Sequence, residues 1–194
     1  MTTALEAAKY LVELASREPD EAEPMTNLRV QKLLYYAQGW HLGLFGRPLF
    51  ADPLQAWKNG PVVPTVYAAV KSAVGDMPAR PLTLTDLGTA VLPGRDRVFL
   101  ETIWKKYRTF SATGLKELSH AEPPWIEARG AVPEGGVSDA EITAESLGRF
   151  FGSLPEAAIS NPRELDDAYE GEAATLEKPP VPFAKLRQRR RGAV

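Results

Sequence analysis

Two histidines, His41 and His120, are the side chains of this 194-residue sequence whose ordinary pKa suits proton transfer near neutral pH. Neither belongs to a metal-binding spacing such as His-Glu-x-x-His, and His120 has Glu122 two residues on, with two prolines before Trp125. There is no cysteine, which removes thiolate catalysis, disulfides and Cys-ligated zinc. No glycine-rich loop opens a helix to cradle phosphate, and no Gly-x-Ser-x-Gly elbow presents a nucleophile. The pattern predicts no catalytic residue, no metal and no cofactor. The enzyme alternative is a hydrolase or nucleotide-modifying activity using His41 or His120 with a distant carboxylate.

Aromatic residues offer binding chemistry instead. Tyr35, Tyr36 and Trp40 fall at helical spacing, which core packing explains better than contact does. Trp57 and Trp125 lie beside Gly and Pro turns, where a large ring with one polar atom can reach a surface and anchor a partner. Gln31 and Lys32 read as a solvated helix face when taken by spacing alone. For His120 the spacing suggests a hydrogen bond that orients the Pro-Pro-Trp turn.

The elements that must position these residues can be read from the pattern. Val30, Leu33, Leu34, Ala37, Trp40, His41 and Leu44 recur at three- and four-residue steps, so a helix starts after the N-cap Thr26 and ends by Gly46 and Pro48. Leu49-Phe50 and Gln55 to Lys58 read as two short strands of one hairpin near residues 48 to 58, joined across Ala51-Asp52-Pro53, and Asn59-Gly60-Pro61 beyond them is turn chemistry. Ala4 to Arg17 is an amphipathic helix. Pro64 opens a helix that Gly75 ends; further helices run over Arg95 to Tyr107 and Ala112 to Ser119, with one turn at Trp125 to Arg129. Ser138 to Glu141 has the spacing of a capping box before a last helix carrying Leu147, Phe150 and Phe151. The expected fold is mainly α: a compact domain of about six helices with one short β-hairpin and a flexible C-terminal tail.

Three blocks carry a family resemblance. QKLLYYAQGWHLGLFGRPLF (residues 31–50), AWKNGPVVPTVY (56–67) and LKELSHAEPPWIEARG (115–130) resemble the Panacea domain, also called SocA-like or phage-associated GepA-like. The resemblance runs over about residues 5 to 152. It implies an antitoxin that neutralises a toxin encoded beside it by direct binding, and in the SocA branch an adaptor that hands the toxin to the protease ClpXP. Residues expected to bear on the partner are Gln31, Lys32, Tyr35, Trp40, Trp57, Gly60, Pro61, Val62, His120 and Trp125. Expected partners are therefore the cognate toxin and ClpX or ClpXP, and the oligomeric state is not fixed by the sequence.

Charge divides the chain. The formal net charge is −2, yet Lys185 to Val194 carries five bases and no acid, leaving an acidic remainder. That argues against a broad nucleic-acid face and against a DNA-binding autorepressor, the second alternative. Residues 161 to 180 hold six acids against two bases, with Pro179, Pro180 and Pro182 at their end, the composition of a linker. The domain is expected over 1–160 and the linker with its basic tail over 161–194. In the tail, Phe183, Leu186, Arg187, Arg189, Arg190 and Arg191 would form a docking peptide for the protease; a solvated end is the simpler reading. The N-terminus carries acids among its apolar residues and lacks a basic leader, and no apolar run could span a bilayer, so a cytoplasmic protein without a membrane partner is expected.

Overall fold

Helix α2 (Asn27–Phe45) is buried on nearly every side, and the other elements are arranged round it. The structure is a computed structural model and describes residues 2–18, 23–133 and 135–155. In chain order the elements are α1 (Ala4–Arg17), α2, β1 (Leu54–Trp57), β2 (Gly60–Val62), α3 (Pro64–Val74) and α4 (Leu84–Leu87). Then follow α5 (Gly94–Tyr107), α6 (Ala112–His120), α7 (Pro123–Arg129), β3 (Glu141–Ile142) and α8 (Ala144–Ser153). The mainly helical fold with its small β element is as expected, with eight helices among the described residues.

Helix α2 begins where Thr26 accepts a hydrogen bond from the Arg29 N–H and stops at Gly46, whose φ of 67° is left-handed. Helices α1, α3, α5, α6 and α8 and strand β2 all pack against it. Its closest neighbour is α8. A Cβ on Gly39 would lie 2.2 Å from the Phe151 ring, and one on Gly43 would lie 2.7 Å from the Phe151 backbone. Two glycines one turn apart thus let α8 approach until Phe151 meets Tyr35, Tyr36 and Trp40 edge to face. Trp40 also donates to the Tyr107 hydroxyl at 2.9 Å, so its polar handle is satisfied inside the core.

The hairpin differs from the expected one. Strand β1 pairs with β2, Trp57 opposite Gly60 and Gln55 opposite Val62, so the turn is Lys58-Asn59 and not Ala51 to Pro53. Leu49-Phe50 is no strand. Its N–H groups donate to Gln38 Oε1, and the Gln38 amide donates to the Phe50 carbonyl at 2.9 Å. One buried side chain on α2 does there what a strand partner would do. The sheet gains a third strand, β3, antiparallel to β1 on the other side. Glu141 therefore pairs in a sheet rather than closing a capping box, and Thr143 caps α8 by accepting from Ser146 N–H. Helix α4, which the periodicity did not suggest, is held by a Thr83–Asp86 capping box.

The domain boundary expected at residue 160 and the docking peptide at 183–191 lie outside the described residues. Among those described, no helix is long and apolar enough to cross a membrane.

Candidate functional site

Gln31 and Lys32 do not form a solvated face. Both are buried, at 1% and 0% exposure, because β2 lies across this side of α2. Gln31 Oε1 accepts the Val63 N–H at 2.8 Å, and its amide donates to Asn27. Lys32 Nζ donates to the Pro61 carbonyl at 2.8 Å. Two adjacent polar residues of one helix thus hold the backbone at 61 and 63, satisfying groups that burial would otherwise leave orphaned. Burial, with Lys116 adding to it, lowers the Lys32 amine to about pKa 7.

Gly60 completes this attachment. Its φ of 95° disfavours any side chain, and its missing Cβ leaves the space that the Lys32 stem and the Ser119 hydroxyl occupy. Gly60, Pro61 and Val62 are all buried, so this part of the hairpin faces inward.

The two tryptophans sit at the outer side of the same structure. Each is partly exposed, and they are joined, Trp125 Nε1 donating to the Trp57 carbonyl at 3.1 Å. Trp57 packs edge to face on Tyr67 and donates to Gln55. Beside it opens a cleft of about 430 Å³ lined by Leu28, Val62, Tyr67, Val74 and Met77 among others. Trp125 stacks flat on His120, ring centroids 3.9 Å apart and planes 9° apart. His120 therefore supports the turn by stacking and not by the expected hydrogen bond. Its buried Nε2 has no partner. Burial and the charges of Lys116, Lys32 and Arg129 lower its pKa to about 4, so the ring is neutral at pH 7.

Spacing did not single out Arg129, and it marked Glu122 only as a neighbour of His120. Arg129 lies 4.9 Å from the Trp125 ring and donates to the carbonyls of Ala56, Pro133 and Gly136, tying α7 to β1 and to the loop before β3. Its one turn of separation from Trp125 was the available signal. Glu122 receives the hydroxyls of Tyr35 at 2.7 Å and Tyr36 at 3.3 Å, and burial raises its carboxyl to about pKa 7. Tyr35 and Trp40 are wholly in the core and Tyr35 reaches the site only through this carboxylate.

His41 belongs to another neighbourhood. It is buried between Phe45 and Phe99, its Nδ1 is 2.7 Å from the Arg47 carbonyl, and burial lowers its pKa to about 3. Ser119 and Lys32 come close enough to suggest a nucleophile and a neutral amine base, but both are fully buried, away from any substrate. No group of three or more His, Cys, Asp or Glu residues that could hold a metal occurs among the described residues. The arrangement is a braced ledge: α2 fixes β2, the hairpin carries Trp57, and α6 and α7 seat Trp125 beside it.

The family model described as "Antitoxin SocA-like, Panacea domain" matches residues 30–126, half of the chain, from the first turn of α2 to Ile126 in α7. Antitoxin SocA of Caulobacter vibrioides (strain NA1000 / CB15N) is 40% identical over 111 residues. That similarity covers 53% of this chain and 58% of the relative, so less than two thirds of either. No solved structure matches.

Proposed function

Since this chain belongs to the SocA-like Panacea antitoxin family, we propose that it neutralises a protein toxin by binding it directly and in fixed proportion. The observation that carries the reading is the use made of Gln31, Lys32 and Gly60. Three residues of the matched stretch, two of them polar and one conformationally special, are spent on holding a short hairpin rigidly against α2. Rigid presentation lowers the entropic cost of docking, and the side chains so presented, Trp57 and Trp125, are of the type that anchors interfaces. Of the two histidines, His41 is buried between Phe45 and Phe99, and His120 is stacked flat on Trp125.

A finer reading adds that the chain hands its toxin to ClpXP. The resemblance to the SocA branch supports it, as does the composition of residues 161–194, an acidic stretch followed by Val181, Phe183 and Leu186 set among bases. A two-handed adaptor needs one surface for cargo and a second peptide for the protease, joined by a spacer.

Co-expression tests the first reading. The product of the adjacent reading frame should be lethal alone, tolerated with this chain, and purified with it at a fixed ratio. His41→Gln and His120→Gln chains that fold should still protect. A folded histidine variant that binds the toxin yet loses all protection would return the question to catalysis.

A further inference from the structure

The cleft beside Trp57 lies between the hairpin, the side of α3 that carries Tyr67 and Val74, and the loop after Gly75. Its volume of about 430 Å³ falls within the range of sites that hold a ligand. Trp57 and Tyr67 meet edge to face in its wall, ring centroids 5.0 Å apart. Met77 stands in the lining at 56% exposure, a flexible thioether that moulds to what it touches. Three lining residues carry donors with no acceptor among the described residues: the Asn27 amide, whose oxygen is taken by Gln31, the Asn59 amide and the Tyr67 hydroxyl. The cleft's two cations are already matched, Lys71 by Asp76 and Arg80 by Asp86, so no charged ligand is called for.

That combination selects a chemistry. Aromatic walls with unmatched donors suit apolar rings strung with carbonyls that have no partner of their own. A proline-rich strand in the polyproline II form offers both. It makes no internal hydrogen bonds, its prolines bring no N–H to be satisfied, and it loses little conformational entropy on docking in an aromatic-lined groove. A helix suits the donors less, because its carbonyls are used within it. This chain carries such a sequence, Pro179-Pro180-Val181-Pro182-Phe183, outside the described residues.

Chain length gives that sequence first claim on the cleft. Helix α8 ends beside Leu42 and Gly46, whereas the cleft takes in Thr26 to Gln31 at the other end of α2. Leu28 to Leu42 along this helix spans about 21 Å. A chain as long as residues 156–178, without secondary structure, has an r.m.s. span of about 26 Å. A tether whose span matches the distance gives the highest effective concentration. We propose that the Trp57 cleft is a site for a proline-rich peptide, and that Pro179–Phe183 of this chain occupies it. The prolines lie on Trp57 and Tyr67, and the strand's carbonyls accept from Asn27 and Tyr67. The basic peptide that follows, Lys185–Arg191, is thereby held at the domain until another ligand takes the cleft. At an effective concentration of about 1 mM, a strand of millimolar intrinsic affinity fills the cleft half the time, so a competitor at Trp57 loses only about twofold. The inference concerns one chain alone and stands whether or not the antitoxin reading does.

The test uses the full chain, which has no cysteine, so that Ala184→Cys supplies a single thiol for a nitroxide. In isotope-labelled protein the amide NMR signals of Leu28, Tyr67 and Met77 should lose most of their intensity and recover when the nitroxide is reduced. Those of Leu42 and Gly148, by the other end of α2, should keep theirs. Pro179→Gly, Pro180→Gly and Pro182→Gly together free the strand from the polyproline II form and should restore the cleft signals; these changes touch no described element. Met77→Asp, at an exposed position of the lining, should do the same from the domain side. Loss that is absent, or spread evenly over the domain, overturns the proposal. So does loss that persists unchanged in the triple-glycine chain. Equal loss when nitroxide-bearing chains are mixed with isotope-labelled chains that lack the nitroxide makes the occupant a second copy, and overturns it too.

Discussion

Lys32 occupies the space that a side chain on Gly60 would need: a Cβ there would lie 2.7 Å from Lys32 Cε and 2.8 Å from its Nζ. Gly60→Ala should therefore cost about 2 kcal/mol or more, from the positive φ and from displacement of the ammonium off the Pro61 carbonyl. Urea denaturation reads the loss. A Gly60→Ala chain as stable as wild type would show that Lys32 can leave its place freely.

The same lysine should tilt stability with pH. Its folded pKa of about 7 lies well below the ordinary value of 10.5, so between these the unfolded chain binds more protons. Stability therefore gains from this group as pH rises from about 7 towards 10, and Lys32→Met should remove that gain. Glu122 acts oppositely, since its folded pKa of about 7 is above the ordinary 4.5. The advantage of Glu122→Gln over wild type should grow between about pH 4.5 and 7, measured as the difference between two urea midpoints.

Gly39 and Phe151 form a second lock. Gly39→Ala should destabilise the fold by about 3 kcal/mol, because the Phe151 ring must leave its rotamer or α8 must retreat. Phe151→Leu in the same chain should recover part of the loss, and a double-mutant cycle measures the coupling. Strict additivity of the two changes would refute the contact.

Trp125→Ala and Trp57→Ala should each weaken toxin binding by about 2 kcal/mol or more while leaving the helical circular-dichroism signal intact. Unfolding of either variant would make that tryptophan a strut of the core and withdraw it from the proposed surface.

A chain ending at Ser160 keeps every described element, the last of which, α8, ends at Ser153. It should bind toxin with near-native affinity and fail to accelerate toxin degradation in a reconstituted ClpXP assay. A synthetic Val181–Val194 peptide should compete with the full chain. Equal delivery by the shortened chain would place the protease contact on the domain.

Much of the architecture was legible because local chemistry announced it. Thr26, Gly46, Pro64 and Gly75 each did at a helix end what their types favour. Where reading failed, tertiary partners had replaced local ones. Gln38 gave Leu49-Phe50 the hydrogen bonds of a strand without a strand. Gln31 and Lys32 looked solvated because the strand that covers them arrives thirty residues later, and no periodicity within α2 reports it. The candidate ledge was half legible: turn-flanking Trp57 and Trp125 stood out, while Arg129 and Lys116 gain meaning only once α6, α7 and the hairpin are brought together.

The glycine trough on α2 also sets where this module can be cut and transplanted. The stretch matched by the family model, residues 30–126, carries Gly39 and Gly43 but leaves behind the phenylalanine that fills them. Moved alone into another protein, it would arrive with an open furrow along its central helix and would stick to whatever apolar surface it met. The unit that evolution or an engineer can exchange intact must include α8, and lineages that replace Phe151 should be found changing Gly39 or Gly43 in step.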